Sequence, residues 1–194
     1  MAVIVVLGVP HSALDVEIGR NPLRSRVGRW WFPGFAVPYL LLVGAVLLVW
    51  RWAPETTLLS FLAASVWHFG TEDTGRGGLP ALVRGGLPIA VPVLLYPQAT
   101  AQVFSAASGL VFDQPPIWLI AGSVAWLVPA ILTLLRSRPR ELLLPGALLL
   151  AFVILPPLTA FTLYFVAVHA PAHTAALIRH SSRAPRVQDA ASAW

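Results

Sequence analysis

The chain has 194 residues, of which 57% are hydrophobic and only 11% are charged, and its mean hydropathy is +0.76. Because a soluble domain usually has about 25% charged residues, this composition excludes a soluble globular protein, a disordered chain and a fibrous protein. There is no cysteine, so disulfides and thiolate metal sites are excluded, and the net charge of +5 comes from Arg alone, since the chain has no Lys. These Arg residues lie between apolar runs, which is typical of membrane topology signals and does not favour nucleic acid as a partner.

Seven apolar segments are each predicted to cross a membrane, because a spanning helix needs about 20 mostly apolar residues. In chain order they are Ala2–Ile18, Phe35–Ala53, Glu55–Thr71, Leu79–Tyr96, Ile117–Leu135, Glu141–Leu155 and Leu158–Arg179. Pro88 and Pro92 predict a kink in the fourth segment. The weakly apolar stretch Gln98–Phe112 is predicted to be an interfacial helix or a re-entrant piece. The predicted fold is therefore all-α, a polytopic membrane helix bundle.

The distribution of Arg predicts the orientation of this bundle. If the N-terminus lies outside, 12 of the 13 Arg residues fall on the cytoplasmic side and only Arg51 lies outside. We therefore predict a multi-pass protein of the cell membrane with a cytoplasmic C-terminus. Residues 1–180 are predicted to form one transmembrane domain, and residues 181–194 a disordered basic tail. The stretch Met1–Leu7 lacks the basic start and the cleavage site of a signal peptide.

Four histidines within the predicted spans are candidate metal ligands: His11, His68, His169 and His173. Ionisable side chains inside a membrane are costly and by default indicate function. His169 and His173 are four residues apart and share one helix face, a spacing that often holds a metal. The three His-bearing spans run in the same direction, and the four depths agree within about 9 Å, which predicts that the imidazoles meet at one level. The alternative is that each imidazole makes a hydrogen bond between helices. Spacing alone does not choose among Zn, Cu, Fe and Ni.

Several residues near these histidines are predicted to support the site. Asp15 lies four residues after His11, and Glu72 and Asp73 follow His68, so these carboxylates are predicted to accept the second N–H of a metal-bound imidazole. Four aromatic residues also flank the histidines: Trp67, Phe69, Tyr164 and Phe165. They are interpreted either as ordinary packing or as the walls of an apolar substrate pocket.

Three stretches together resemble the signature blocks of the Brp/Blh family of membrane β-carotene 15,15′-dioxygenases. They are GVPHSALD (Gly8–Asp15), WHFGTED (Trp67–Asp73) and YFVAVHAPAH (Tyr164–His173), and they occur in the family's order over nearly the whole chain. The resemblance implies an enzyme whose Fe²⁺ is held by His11, His68, His169 and His173. It also implies cleavage of the central double bond of β-carotene with O₂ to give retinal, in a lipid bilayer, and a functional link to a retinal-binding rhodopsin.

The sequence differs from the family pattern at several positions, so other functions stay open. Ser12, Ala170 and Ala172 stand where the family usually has Gly, Ser and Arg. The second hypothesis is therefore a non-catalytic membrane protein that binds a carotenoid or retinal, or that assists rhodopsin biogenesis. A transporter of metals or small solutes is a third hypothesis, which the scarcity of carboxylates for proton relays disfavours.

Overall fold

The computed structural model describes Arg20 and residues 22–179, and the regular structure in this part is helical. The helices are α1 (Pro22–Trp52), α2 (Pro54–Thr74), α3 (Leu79–Leu95), α4 (Pro97–Ser108), α5 (Ile117–Arg136), α6 (Leu143–Ile154), α7 (Pro157–Tyr164) and α8 (Ala170–Arg179). A 3₁₀ turn, Pro139–Leu142, precedes α6, and a π-helical turn, Phe165–His169, joins α7 to α8. The first predicted span and the basic tail lie outside the described residues.

The ends of α2 and α4 follow from simple backbone chemistry. Both helices begin with a proline, whose missing N–H costs nothing in the first helical turn. Both end at a glycine in the left-handed region, Gly75 with φ +62° and Gly109 with φ +75°. Residues with a Cβ rarely adopt this conformation, so these glycines stop the helices where they do.

The chain divides into two compact units, Met1–Trp52 with Val166–Trp194, and Ala53–Phe165. In the described part of the first unit, α1 is apolar on every side from Trp31 to Trp50, and none of its residues from Trp31 onward is buried. Leu40, Leu41 and Leu47 are each more than 60% exposed. A helix of this kind needs an apolar solvent, which a bilayer provides.

The described helices match the sequence prediction in type and differ from it in length. Among residues 20 and 22–179, α1 and α5 are each long and apolar enough to cross a membrane, and the pair α2–α3 passes the same test together with a bend of 119° at its break. By contrast, α6 has 12 residues and rises only about 18 Å, less than the roughly 30 Å of a hydrocarbon core. The stretch Gln98–Phe112, predicted to be an interfacial helix or a re-entrant piece, contains most of α4, which also has 12 residues.

The helix α3 lies at the centre of the second unit and buries most of its residues from Arg84 to Val93. It approaches α2 backbone to backbone, because a Cβ at Gly85 would lie 1.8 Å from the Val66 carbonyl oxygen, and one at Gly70 would lie 1.9 Å from that of Ala81. Small residues at helix crossings are typical of membrane proteins, where close van der Waals packing replaces the hydrophobic effect. The position of α2, and of His68 on it, therefore depends on these two glycines.

Two further contacts fix the helices around α3. Trp126 of α5 covers Gly86, and its indole N–H donates to the Val83 carbonyl at 3.2 Å. At the other end of the unit the core is apolar and draws on four helices. Its buried members are Leu58, Leu62, Val93, Phe104 and Leu119.

Candidate functional site

Two of the predicted metal ligands lie in the first unit, at the π-helical turn and just after it. His169 is the last residue of the turn and is fully buried, whereas His173, on α8, is half-buried. The Nε2 atoms of both rings are withdrawn from solvent. The turn ends two residues before Pro171, and proline has no N–H with which to continue the regular α-helical hydrogen bonding. Turns of this kind are rare and often occur at functional sites.

His68 lies in the second unit, on α2, and its side chain is exposed. Its ring centroid lies 5.5 Å from that of Phe69. Glu72, one helical turn later, is also exposed.

The predicted meeting of four imidazoles is not decided by the described residues. His11 and Asp15 lie outside them. Within Arg20 and residues 22–179, no three side chains of His, Asp or Glu are grouped as metal ligands. The four-histidine site, with its supporting carboxylates, therefore stays a prediction.

Asp73 forms a buried cluster with Arg84 and Tyr164. The Asp73 side chain is only 1% exposed, and its Oδ2 accepts from Arg84 Nε at 3.2 Å and from the Tyr164 hydroxyl at 2.8 Å. The Arg84 guanidinium carbon also lies 6.0 Å from the centre of the Tyr164 ring. A buried charge needs both an opposite charge and hydrogen bonds, and this cluster supplies them. Asp73 thus has a structural partner that the sequence analysis did not assign to it.

Arg84 itself was placed wrongly by the sequence analysis, which counted it among the loop arginines on the cytoplasmic side. The structure places it inside α3 with 8% of its side chain exposed. A signal was available, since Arg84 falls within the fourth predicted span, Leu79–Tyr96, where an ionisable residue by default indicates a specific role.

Three of the four aromatic residues predicted as pocket walls lie in one aromatic cluster of the second unit. The Phe69 and Tyr164 rings are 5.8 Å apart at 77°, and Phe161 lies 5.9 Å from Phe69 and 6.3 Å from Phe165. Phe152 joins this cluster at 6.4 Å from Tyr164. Edge-to-face pairs at such distances stabilise packing. Trp67 is 60% exposed.

A cavity of about 620 Å³ lies between α3, α5 and α6 of the second unit. Its walls are mainly apolar side chains such as Leu87, Val91, Ile131 and Leu149, with Trp126 among them. Charged groups at its lining are Asp73, Arg84 and Glu141. None of the four aromatic residues predicted as pocket walls lines this cavity. Sequence reasoning missed it because its lining comes mainly from three helices, with a smaller part from the end of α2 and the turn before α6, and no distinctive motif marks these residues.

Comparison with known proteins gives a match over the whole chain. The model of a family described as beta-carotene 15,15'-dioxygenase matches residues 2–194. The "Probable beta-carotene 15,15'-dioxygenase Blh" of Halobacterium salinarum is 29% identical over an alignment 209 residues long, which takes in 90% of this chain and 59% of that protein. The "Beta-carotene 15,15'-dioxygenase" of an uncultured marine bacterium, 66A03, is 29% identical over 187 residues, or 89% of this chain and 66% of that protein. The chain thus spans less than two thirds of the length of these curated relatives. No solved structure matches it significantly.

Proposed function

The chain belongs to the beta-carotene 15,15'-dioxygenase family, and we propose that it cleaves the central double bond of β-carotene, or of a related carotenoid, with O₂. In this reaction the C15–C15′ double bond breaks and each of its carbons receives one oxygen atom, so that one hydrocarbon and one O₂ become two molecules of retinal. The observation that carries the proposal is the family match over residues 2–194, which includes all three His-bearing blocks.

Fe²⁺ is the proposed cofactor, with His11, His68, His169 and His173 as its ligands. The donor chemistry fits, because neutral imidazole suits iron, and the buried Nε2 atoms of His169 and His173 are shielded from water. When bound, iron supplies the reaction of O₂ that no amino-acid side chain can perform. The protein's own part is to bind the polyene within apolar walls, to orient one double bond, and to exclude water. A general base is not needed for this reaction.

A bilayer enzyme suits a substrate that dissolves in lipid. We propose the topology predicted from the arginines, with seven crossings, the N-terminus outside and the C-terminus in the cytoplasm of a cell membrane. The unburied apolar surface of α1 supports a membrane location, and lateral entry from the bilayer would bring β-carotene to the protein without transfer through water. A link to a retinal-binding rhodopsin is part of the same proposal, since such a protein would consume the product.

Single cysteines test this topology directly, because the chain has none of its own. We expect a membrane-impermeant maleimide to label Asp113→Cys, in the loop between α4 and α5, in intact cells. Arg76→Cys, between α2 and α3, should be labelled only after the membrane is permeabilised. Both positions are exposed in the second unit. Equal labelling of both in intact cells, or the reverse order, would contradict the proposed orientation.

Cleavage is tested by expressing the chain in bacteria that accumulate β-carotene. The cells should lose their yellow colour and accumulate retinal, measured by chromatography of extracts. His68→Ala and His173→Ala should each lower retinal formation more than about 100-fold, since even loss of a residue that only orients a metal ligand costs 10- to 100-fold. His180→Ala is the matched control, because His180 follows the last predicted span and is not among the proposed ligands, and it should leave retinal formation unchanged. Normal bleaching by His68→Ala would overturn the assigned ligand set.

A non-catalytic role in binding a carotenoid or retinal, or in rhodopsin biogenesis, is the second candidate. The observation that favours it is Ala170 and Ala172 in the last His-bearing block, where the resembling family usually has Ser and Arg. Purified protein that contains iron and binds retinal, yet leaves β-carotene intact, would support this candidate over the enzyme.

A further inference from the structure

The geometry points to a second binding site in the second unit, where the cavity between α3, α5 and α6 holds a neutral isoprenoid by its terminal oxygen. The oxygen, of an aldehyde or a hydroxyl group, would accept a hydrogen bond from the Arg84 guanidinium. The volume of about 620 Å³ lies within the range of ligand pockets, which is about 300–1,000 Å³. The apolar walls suit a hydrocarbon chain, and two of the few polar lining residues, Asp73 and Arg84, lie in contact with each other.

Arg84 supplies the hydrogen-bond donors for this site. Its Nε is occupied by Asp73. The guanidinium has further N–H groups, and Nη1 is buried without a hydrogen-bond partner among the residues that the structure describes. A buried donor without a partner is costly, so a ligand oxygen that satisfies the guanidinium gains affinity. β-Carotene is a hydrocarbon and cannot do this, which makes an oxygenated molecule the better occupant.

The charges around the cavity select a neutral ligand. Asp73 already neutralises Arg84, and the Glu141 carboxylate also lies at the lining. A ligand carboxylate hydrogen-bonded to Arg84 would therefore meet a guanidinium whose charge is already balanced, beside the buried Asp73 carboxylate, and the two like charges would repel. An aldehyde or alcohol oxygen accepts a hydrogen bond without adding charge.

The site has a natural place in the proposed function, on which this step rests. Asp73 follows His68 by five residues on α2, a rise of about 8 Å along the helix axis. β-Carotene has no oxygen that could accept a hydrogen bond from Arg84. Cleavage creates an aldehyde on each half of the polyene, so each product molecule has such an oxygen, and one of them could occupy the cavity. A carotenoid hydroxylated at its end ring offers the same chemistry from the substrate side.

Binding measurements on purified, iron-free protein in detergent test the site without any need for turnover. The ligands are retinal, the dihydroxy carotenoid zeaxanthin, retinoic acid and β-carotene, followed by quenching of tryptophan fluorescence. Arg84→Lys keeps the ion pair with Asp73 but removes the terminal guanidinium donors. Gly146→Phe fills the cavity from α6, where a Cβ meets nothing within 4 Å. Gly122→Phe, on α5 and away from the cavity lining, is the matched control, since its Cβ is equally unhindered.

We expect Arg84→Lys to weaken retinal or zeaxanthin binding about tenfold or more, the size of one hydrogen bond to a charged group. Gly146→Phe should weaken it at least as much, because the added ring occupies part of the cavity. Gly122→Phe should bind like the native chain, and retinoic acid should bind more weakly than retinal. Tighter binding of retinal than of zeaxanthin assigns the cavity to a product half, and the reverse assigns it to an oxygenated substrate.

Affinities for retinal and zeaxanthin within twofold of the native values in both cavity variants would overturn the site. If Arg84→Lys does not fold, unchanged binding by Gly146→Phe overturns it alone. Arg84-dependent binding in a protein that never cleaves β-carotene would refute the proposed function and leave this site standing. Cleavage of β-carotene, combined with unchanged ligand binding in both cavity variants, would support the proposed function and refute this site.

Discussion

Replacing Gly85 by Ala is expected to destabilise the second unit by about 3 kcal/mol or more, because the added methyl group has no room. A Cβ at this position would lie 1.8 Å from the Val66 carbonyl oxygen and 2.7 Å from the Gly70 nitrogen. Both are backbone atoms of α2, so they cannot rotate away as a side chain would. The helices must separate, and a loss of helical circular dichroism at lower temperature in detergent would report it.

Gly146→Ala is the matched control for this experiment. Gly146 also lies inside a helix, α6, but a Cβ there meets nothing within 4 Å. Alanine favours the helix over glycine, so this variant should be neutral or more stable by up to about 1 kcal/mol. Equal thermal midpoints for the Gly85 and Gly146 variants would contradict the close approach of α2 and α3.

Replacing Asp73 by Ala is expected to cost about 3–5 kcal/mol, because it leaves the Arg84 charge buried without its counter-charge. The side chains of both residues are buried, and Tyr164 loses a hydrogen-bond acceptor in the same step. The double variant Asp73→Ala with Arg84→Met removes both charges and should recover much of this loss. The free energy of unfolding of the native chain, the two single variants and the double variant, measured by denaturant titration in one detergent, completes the cycle.

Tyr164→Phe serves as the control, because it removes one hydrogen bond but keeps the ion pair. It should be destabilised less than Asp73→Ala. If the losses of the two single variants simply add in the double variant, Asp73 and Arg84 are not coupled and the buried pair does not stabilise the unit as described.

The apolar runs of the sequence predicted most of the helices in the described part, because long stretches without charges have few alternatives. Their lengths were less predictable. The predicted span Glu141–Leu155 contains a helix only over Leu143–Ile154, since the chain enters it through a 3₁₀ turn that begins at Pro139. The span Leu158–Arg179 contains a π-helical turn before Pro171, and hydropathy carries no signal for such a turn.

For the candidate site, residue type and spacing in the sequence identified the histidines. The ion pair between Asp73 and Arg84 and the lining of the cavity became visible only from tertiary contacts. His68, His169 and His173 lie on the helices where the sequence predicted them, and the family resemblance is confirmed by the match over residues 2–194. The partnership of Asp73 with Arg84 was missed because it joins two helices through side chains 11 residues apart. The lining of the cavity was missed for the same reason, since no local pattern shows which faces of α3, α5 and α6 meet.

The burial of the Asp73–Arg84 pair separates two roles of arginine in this chain. Mobile ions cannot approach a carboxylate that is 1% exposed, so raising the ionic strength leaves this attraction almost unscreened. In the proposed topology, arginines in the loops act instead on anionic lipid headgroups, through a field that falls away within about 10 Å in ordinary salt. Raising the salt concentration should therefore weaken the attraction between the loops and the membrane surface, while the ion pair inside the second unit keeps its strength.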